Sequence, residues 1–316
     1  MAGFDRPLLL TPGQDIGGYL GRLLGKIFLI AVTCTSVLAV FLIFFYIIWM
    51  GREFLFTHGL DELVAGWTWD PTADEPPADY GAAKLFLGSL YVTAGAMVIA
   101  VPIGILAAVC LSDIMPFKLR QIVKPVIEIL AAIPSVAYGF FAILVVAPWL
   151  QQHLGIAKGR NALNASVLLG IMALPTIVSI AEDALSSIGR DLREGAYALG
   201  STRAEVILKV VMPAAKSGII AAVILGVMRA VGETMLVWMA AGMAINTPTP
   251  WWDFTQQVRT ITASIAQEMG EAPEGSMHRQ SLFALGFMLL VITFVLNLVS
   301  EYFLTRAKKL RKEKTK

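Results

Sequence analysis

Two ionisable residues, Arg229 and Glu233, interrupt an otherwise apolar run between Ile219 and Ala241. Four residues apart, they fall on one face of a helix and within reach of each other. A charge at a bilayer centre costs ~2.5–3.5 kcal/mol on insertion scales, so such residues face a bundle interior or a wet pathway. The planar, paired donors of an arginine match an oxyanion. A carboxylate beside it keeps the site near neutral, which suits passage of the anion rather than storage. The hydroxyls of Thr234, Ser135 and Tyr138 are further donors to a passing anion. Plainer roles stay open for the same residues: an internal ion pair that stabilises packing, and interhelical hydrogen bonds from the hydroxyls.

A second constellation lies between apolar runs. Glu194, Gly195, Ala196, Tyr197, Ala198, Leu199 and Gly200 are followed, after nine residues, by Val210, Val211, Met212 and Pro213. Ala and Leu favour a short helix, Gly200 ends it in a left-handed conformation, and Pro213 opens the next element. Tyr197 and Leu199 are apolar residues that a partner's groove would receive. An amphipathic helix resting on lipid headgroups is the competing reading.

Other chemistries lack their residues. No Gly-rich phosphate loop ending in Gly-Lys-Ser/Thr is present, so ATP hydrolysis is expected elsewhere. His58, His153 and His278 sit in separate loops without ligand spacing, and no metal site is expected. Cys34 and Cys110 lie in apolar runs and read as small buried hydrophobes. Glu128 reads as an interfacial carboxylate. The balance of 25 basic and 23 acidic residues gives no basic field for nucleic acid.

The elements that carry these residues are membrane helices. With 57% hydrophobic and 15% charged residues, the chain has too little polar surface to dissolve as a soluble domain. Six runs are long enough for a bilayer, near 27–50, 85–111, 129–150, 162–181, 218–244 and 282–303. The first lacks a cleavage signal and is expected to be retained. Placing both termini in the cytoplasm puts 18 Lys and Arg inside and 6 outside, with Arg229 in the membrane. The loop between the first two spans then lies outside and carries Asp61, Glu62, Asp70, Asp74, Glu75 and Asp79 among Pro71, Pro76 and Pro77. Pro134, Gly139 and Pro175 are expected to loosen their helices and bare carbonyls along a pathway, or simply to kink them. Basic residues from Arg306 to Lys316 read as an orientation signal or an anionic-lipid contact. No internal repeat is evident. The expected division is 1–84 (tail, first helix, acidic loop), 85–304 (core of five spans with the loop 190–217) and 305–316 (basic tail).

The loop 190–217 resembles the EAA loop of ABC importer permeases, whose pattern is E-A-A, three residues, G, nine residues, then I-x-L-P. Glu194, Ala196, Gly200 and Pro213 match; Gly195, Val210 and Met212 replace Ala, Ile and Leu. Arg229 to Thr234, Ile133 to Gly139, Leu174 to Ser179 and Thr260 to Glu271 resemble phrases of phosphate-importer permeases, the C-type more than the A-type subunit. This resemblance implies an all-α type I importer permease that couples to ATP hydrolysis without performing it. The implied partners are a homologous A-type permease, a homodimeric cytosolic ATPase holding ATP and Mg, a periplasmic phosphate-binding protein and the lipid of a bacterial inner membrane. A permease for molybdate or sulfate keeps the EAA loop but gives no special reason for the phrase around Arg229. An ion-driven secondary transporter, with Arg229, Glu233 and Glu128 as a relay, does not require the EAA spacing.

Overall fold

The computed structural model describes residues 12–71 and 79–314. Asp74, Glu75, Pro76 and Pro77 of the acidic loop lie outside the described residues, as do the side chains of the basic tail from Arg306. The chain forms two compact units, one ending at Met50 and the other starting at Gly51. The described part of the first is helical from Pro12, the start of α1 (Pro12–Thr57). None of its side chains between 23 and 50 is buried, as befits apolar residues whose solvent is lipid.

The second unit opens with the last turns of α1, a short helix α2 (Gly59–Ala65) and a two-residue antiparallel pair, β1 (Trp69–Asp70) with β2 (Asp79–Tyr80). Helix α3 (Ala83–Val109) follows and widens into a π turn over Cys110–Ile114. Next come α4 (Phe117–Ala132), α5 (Ser135–Phe141), a π turn over Ala142–Val146, and α6 (Ala147–Leu154). Then follow α7 (Ala162–Ser186), α8 (Arg190–Ala198), and α9 (Arg203–Glu205), joined through a π turn over Val206–Val211 to α10 (Met212–Ala214). The last elements are α11 (Lys216–Val231), α12 (Met235–Ala240), α13 (Ile261–Glu268) and α14 (Met277–Lys314).

Among the described residues, five segments are long and apolar enough to span: Leu23–Thr57, Ala83–Ile114, Ser135–Leu154, Ala162–Ser186 and Met277–Phe303. A sixth passes only as a bent pair, Arg203–Ala214 with Lys216–Val231, which meet at 72°. Because Arg203 and Lys209 in the first arm are exposed, we read this span, the fifth in chain order, as α11 continued, across a break, by α12.

Three expectations are corrected here. The third span starts at Ser135, not Ile129. Pro134 pushes Ile133 out of the helical region (φ −66°, ψ 126°), so α4 ends at Ala132 and α5 is a new helix. The fifth span is not one helix: α11 stops at Val231 and α12 begins at Met235. Pro175, by contrast, lies inside an unbroken α7. Cys34 is exposed on α1 rather than buried.

The α3–α7 contact is the spine of this unit. Gly88, Val92, Ala96, Ala100, Gly104 and Ala108 recur every four residues along α3, and all are buried. Small residues let helix backbones approach closely in lipid, where van der Waals packing rather than water exclusion holds helices together. At one end of the bundle, Val206, Ile207 and Val211 of the π turn pack with Val109, Leu185 and Ala222. At the other, Phe54, Leu63, Trp69 and Tyr80 pack with Leu85, Ile261 and Leu282.

Candidate functional site

The residues expected to line a pathway gather at two helix breaks. Tyr138 of α5 is buried in one cluster with Ala230 of α11 and Leu236 and Val237 of α12. Its hydroxyl donates to the Leu130 carbonyl at 3.2 Å. Arg229 immediately precedes Ala230, which packs in that cluster. Arg229 is half-buried, and its Nε has no hydrogen-bond partner. Ser135, half-buried, is the first residue of α5, and Thr234, also half-buried, immediately precedes α12. Gly139 lies within α5, which passes into a π turn at Ala142. It admits α12, since a Cβ there would sit 2.5 Å from the Met239 sulfur.

Arg229 and Glu233 form no ion pair among the described residues, contrary to the pairing expected from their spacing. The helical ladder ends at Val231, so the i,i+4 geometry is absent. The Glu233 carboxylate instead turns onto α12 and accepts from the Leu236 amide at 3.3 Å, satisfying one orphan donor of that helix. The Glu233 carbonyl accepts from the Thr262 hydroxyl at 2.8 Å, which ties the break to α13. Glu128 is exposed on α4.

The second constellation forms the helix expected of it. Glu194, Gly195 and Tyr197 of α8 are exposed, as is Leu199 just after it, with Tyr197 at 46% and Leu199 at 87%. Gly200 adopts φ +82°. Its amide donates to the Tyr197 carbonyl at 2.9 Å and the Ser201 amide to the Ala196 carbonyl at 3.2 Å, the paired bonds of a Schellman turn. Thr202 and Glu205 then form a reciprocal capping box that starts α9. Pro213 is exposed within the first turn of α10. On its inner side α8 packs only Ala196 against the cluster around Val206 and Ile207.

Three polar clusters escaped the sequence reading because their members come from different elements. Arg193 of α8 pairs with Asp113 in the π turn after α3. Glu182 of α7, almost wholly buried, is paired with Arg120 and, at 2.7 Å, Lys124, both from α4. Glu268 accepts from Trp69 at 3.1 Å, pairs with Arg259 and lies 2.9 Å from His278 Nε2. The partners of these buried carboxylates offset their desolvation.

Similarity to known proteins agrees with these features. The family described as binding-protein-dependent transport system inner membrane component matches residues 100–309. A probable ABC transporter permease protein YqgH of Bacillus subtilis (strain 168) is 36% identical over 260 residues, 82% of each chain. A phosphate transport system permease protein PstC of Xylella fastidiosa (strain 9a5c) is 32% identical over 317 residues, 94% of each chain. Among solved structures, a bacterial alginate ABC transporter, solved in complex with an alginate pentasaccharide-bound periplasmic protein, superposes with a TM-score of 0.55 at 16% identity, covering 90% of this chain and 96% of that one. The inward-facing MetNI methionine ABC transporter gives a TM-score of 0.51 at 19% identity, covering 72% and 94%. The fold is therefore that of type I ABC importer permeases. With two thirds of its length matched by one family, this chain belongs to the inner-membrane components of binding-protein-dependent transport systems.

Proposed function

We propose that this chain is the C-type permease subunit of an ATP-driven phosphate importer. It forms half of a translocation pathway in the bacterial inner membrane, with both termini in the cytosol. Its partners are a homologous A-type permease, a homodimeric cytosolic ATPase that binds ATP and Mg, and a periplasmic phosphate-binding protein. The observation that carries the substrate assignment is Arg229. It lies in the last turn of α11, at the break in the span, with its Nε unpartnered and no carboxylate paired to it among the described residues. A cation so placed attracts an oxyanion, and the Ser135 and Thr234 hydroxyls at the two neighbouring breaks are further donors. Relatives named as phosphate transport permeases support the same substrate. On this reading α8 is the ATPase contact, because Tyr197 and Leu199 are presented to solvent on a helix whose inner side is fixed.

The test is uptake of labelled phosphate into proteoliposomes containing the complete complex. Uptake is expected to require ATP and the binding protein, and to resist excess sulfate and molybdate. Uptake of sulfate or molybdate in preference to phosphate would refute the substrate. Uptake driven by an ion gradient without ATP would refute the class.

A further inference from the structure

Helix α8 is a surface element with almost no apolar anchorage: none of its residues is buried, and only Ala196 packs half-buried against the core. Its firm attachments are polar, and they converge. Arg193, within α8, pairs its guanidinium with the Asp113 carboxylate and donates to the Leu185 carbonyl near the end of α7 at 2.8 Å. Arg203, just past the Schellman turn, donates to the main-chain carbonyl of Asp113 and, at 3.4 Å, to that of Ile114. Residues 194–202, which include the exposed Tyr197 and Leu199, are thus bracketed by two arginines that end on the same residue of α3's π turn.

The chemistry of that turn explains why arginines serve. Carbonyls at a helix end lack intrahelical donors and carry partial negative charge, which a guanidinium both satisfies and neutralises. The Asp113 side chain is 6% exposed and that of Arg193 is 20% exposed, so the pair is screened little by solvent salt. Apolar contacts permit sliding, whereas charge-assisted bonds are directional: Arg193 divides its two terminal nitrogens between the Asp113 carboxylate and the Leu185 carbonyl, leaving Asp113 Oδ2 and Arg193 Nε without partners. A displacement of α8 is therefore passed to α3 through Asp113. Helix α3 runs the length of the unit, from the cluster at Leu85 to that at Val109, and carries the small-residue stripe packed on α7.

We propose that Asp113 is a positioning residue for energy coupling: with Arg193 and Arg203 it clamps the α8 loop to α3, so that movement of the loop shifts the spine of the bundle. This rests on the reading of α8 as the ATPase contact. The test is the phosphate transported per ATP hydrolysed by the complete complex in proteoliposomes. Asp113→Asn, which keeps shape but removes charge, is expected to leave ATP hydrolysis in place and to lower that ratio about tenfold, within the usual range of coupling between sites. Asp113→Glu, which keeps the charge for Arg193, is expected to retain most of it. A purely structural ion pair would lower assembly and leave the ratio of assembled complexes unchanged, and that result overturns the proposal. Should Asp113→Asn not assemble, Arg193→Lys decides: it keeps the charge and loses the second bond to Leu185, and an unchanged ratio again overturns the clamp. A cysteine at Leu199 separates the two readings. If it fails to cross-link to the ATPase in the otherwise unaltered complex, the contact surface is wrong and the clamp, which rests on it, falls too; if it cross-links while Asp113→Asn keeps the full ratio, only the clamp is wrong.

Discussion

The Thr262 hydroxyl donates to the main-chain carbonyl of Glu233 at 2.8 Å, across 29 residues of sequence. That carbonyl is freed because the helix stops at Val231, and an unsatisfied polar group is costly away from water. Thr262 is buried near the start of α13, whose Ile261 amide donates to the Ser89 hydroxyl of α3 at 3.0 Å. The break beside Arg229 is therefore held open by a neighbouring helix and not by its own sequence alone.

Replacing Thr262 with valine keeps the shape and removes the donor. The stranded carbonyl should cost about 1–3 kcal/mol. We expect a lower unfolding temperature of the purified complex and slower uptake, whereas Thr262→Ser should preserve both. Equal stability of the valine and serine variants would show that water satisfies the carbonyl instead.

Two glycines of the α8 segment should respond oppositely to alanine. Gly195 lies within the helix with open space where a Cβ would go, so Gly195→Ala should stabilise α8 by about 1 kcal/mol. Gly200 has equal space but φ +82°, so Gly200→Ala should cost about 1–2 kcal/mol and fray the Schellman turn. Hydrogen exchange of the Leu199 and Ser201 amides reads both effects. Slower exchange in Gly200→Ala than in the parent would contradict the argument.

The outline of the fold is legible in the sequence because lipid demands long apolar helices, and α8 because its glycine and proline punctuate it. The α3 stripe from Gly88 to Ala108 is equally present as a four-residue repeat of small side chains, but hydropathy, which marks the span, does not reveal it. The breaks were misread for a physical reason. Pro134 is expected to loosen or kink its helix because membrane helices tolerate proline, and the run 218–244 contains no proline to mark its break. Whether a helix continues through such residues depends on who satisfies the freed groups, here Thr262 and the Glu233 carboxylate itself. Long-range pairs such as Asp113 with Arg193, and Trp69 with Glu268, have no local signature at all.

Glu205 gives a pH dependence. The Lys209 ammonium hydrogen bond, followed by those of Thr202, holds its carboxyl down at about 2. A carboxylate with a lowered folded-state value contributes stability above its ordinary value near 4.5, and loses it as pH falls from there toward about 2. The capping box at the start of α9 should therefore loosen over that acidic window and not near neutrality. Amide exchange at Glu205, compared with Glu205→Gln, follows it. Loosening that begins above pH 5 would point to another group.

The most exposed consequence concerns Arg229. Had it been paired with Glu233, removing either residue alone would strand a charge in the bundle and threaten assembly. Because the Glu233 carboxylate is engaged with the Leu236 amide and Arg229 keeps a free donor, the two substitutions should separate. Arg229→Met should insert, assemble and bind the ATPase normally, since it strands no partner. It should nonetheless lose phosphate uptake about tenfold or more, because a hydrogen bond to a charged group contributes about 1.5–3 kcal/mol. Arg229→Lys keeps the charge without the planar fork and should fall between. Glu233→Gln retains an oxygen for the Leu236 amide and should keep the break intact while leaving the pathway one charge more positive. The anion is then held longer, so uptake slows although binding tightens. The double variant Arg229→Met with Glu233→Met should behave as the sum of a lost anion contact and a lost helix cap, with normal insertion and no rescue. Full uptake by that double variant would exclude Arg229 from the pathway, and rescue of Arg229→Met by Glu233→Met would show that the two residues pair in the working transporter.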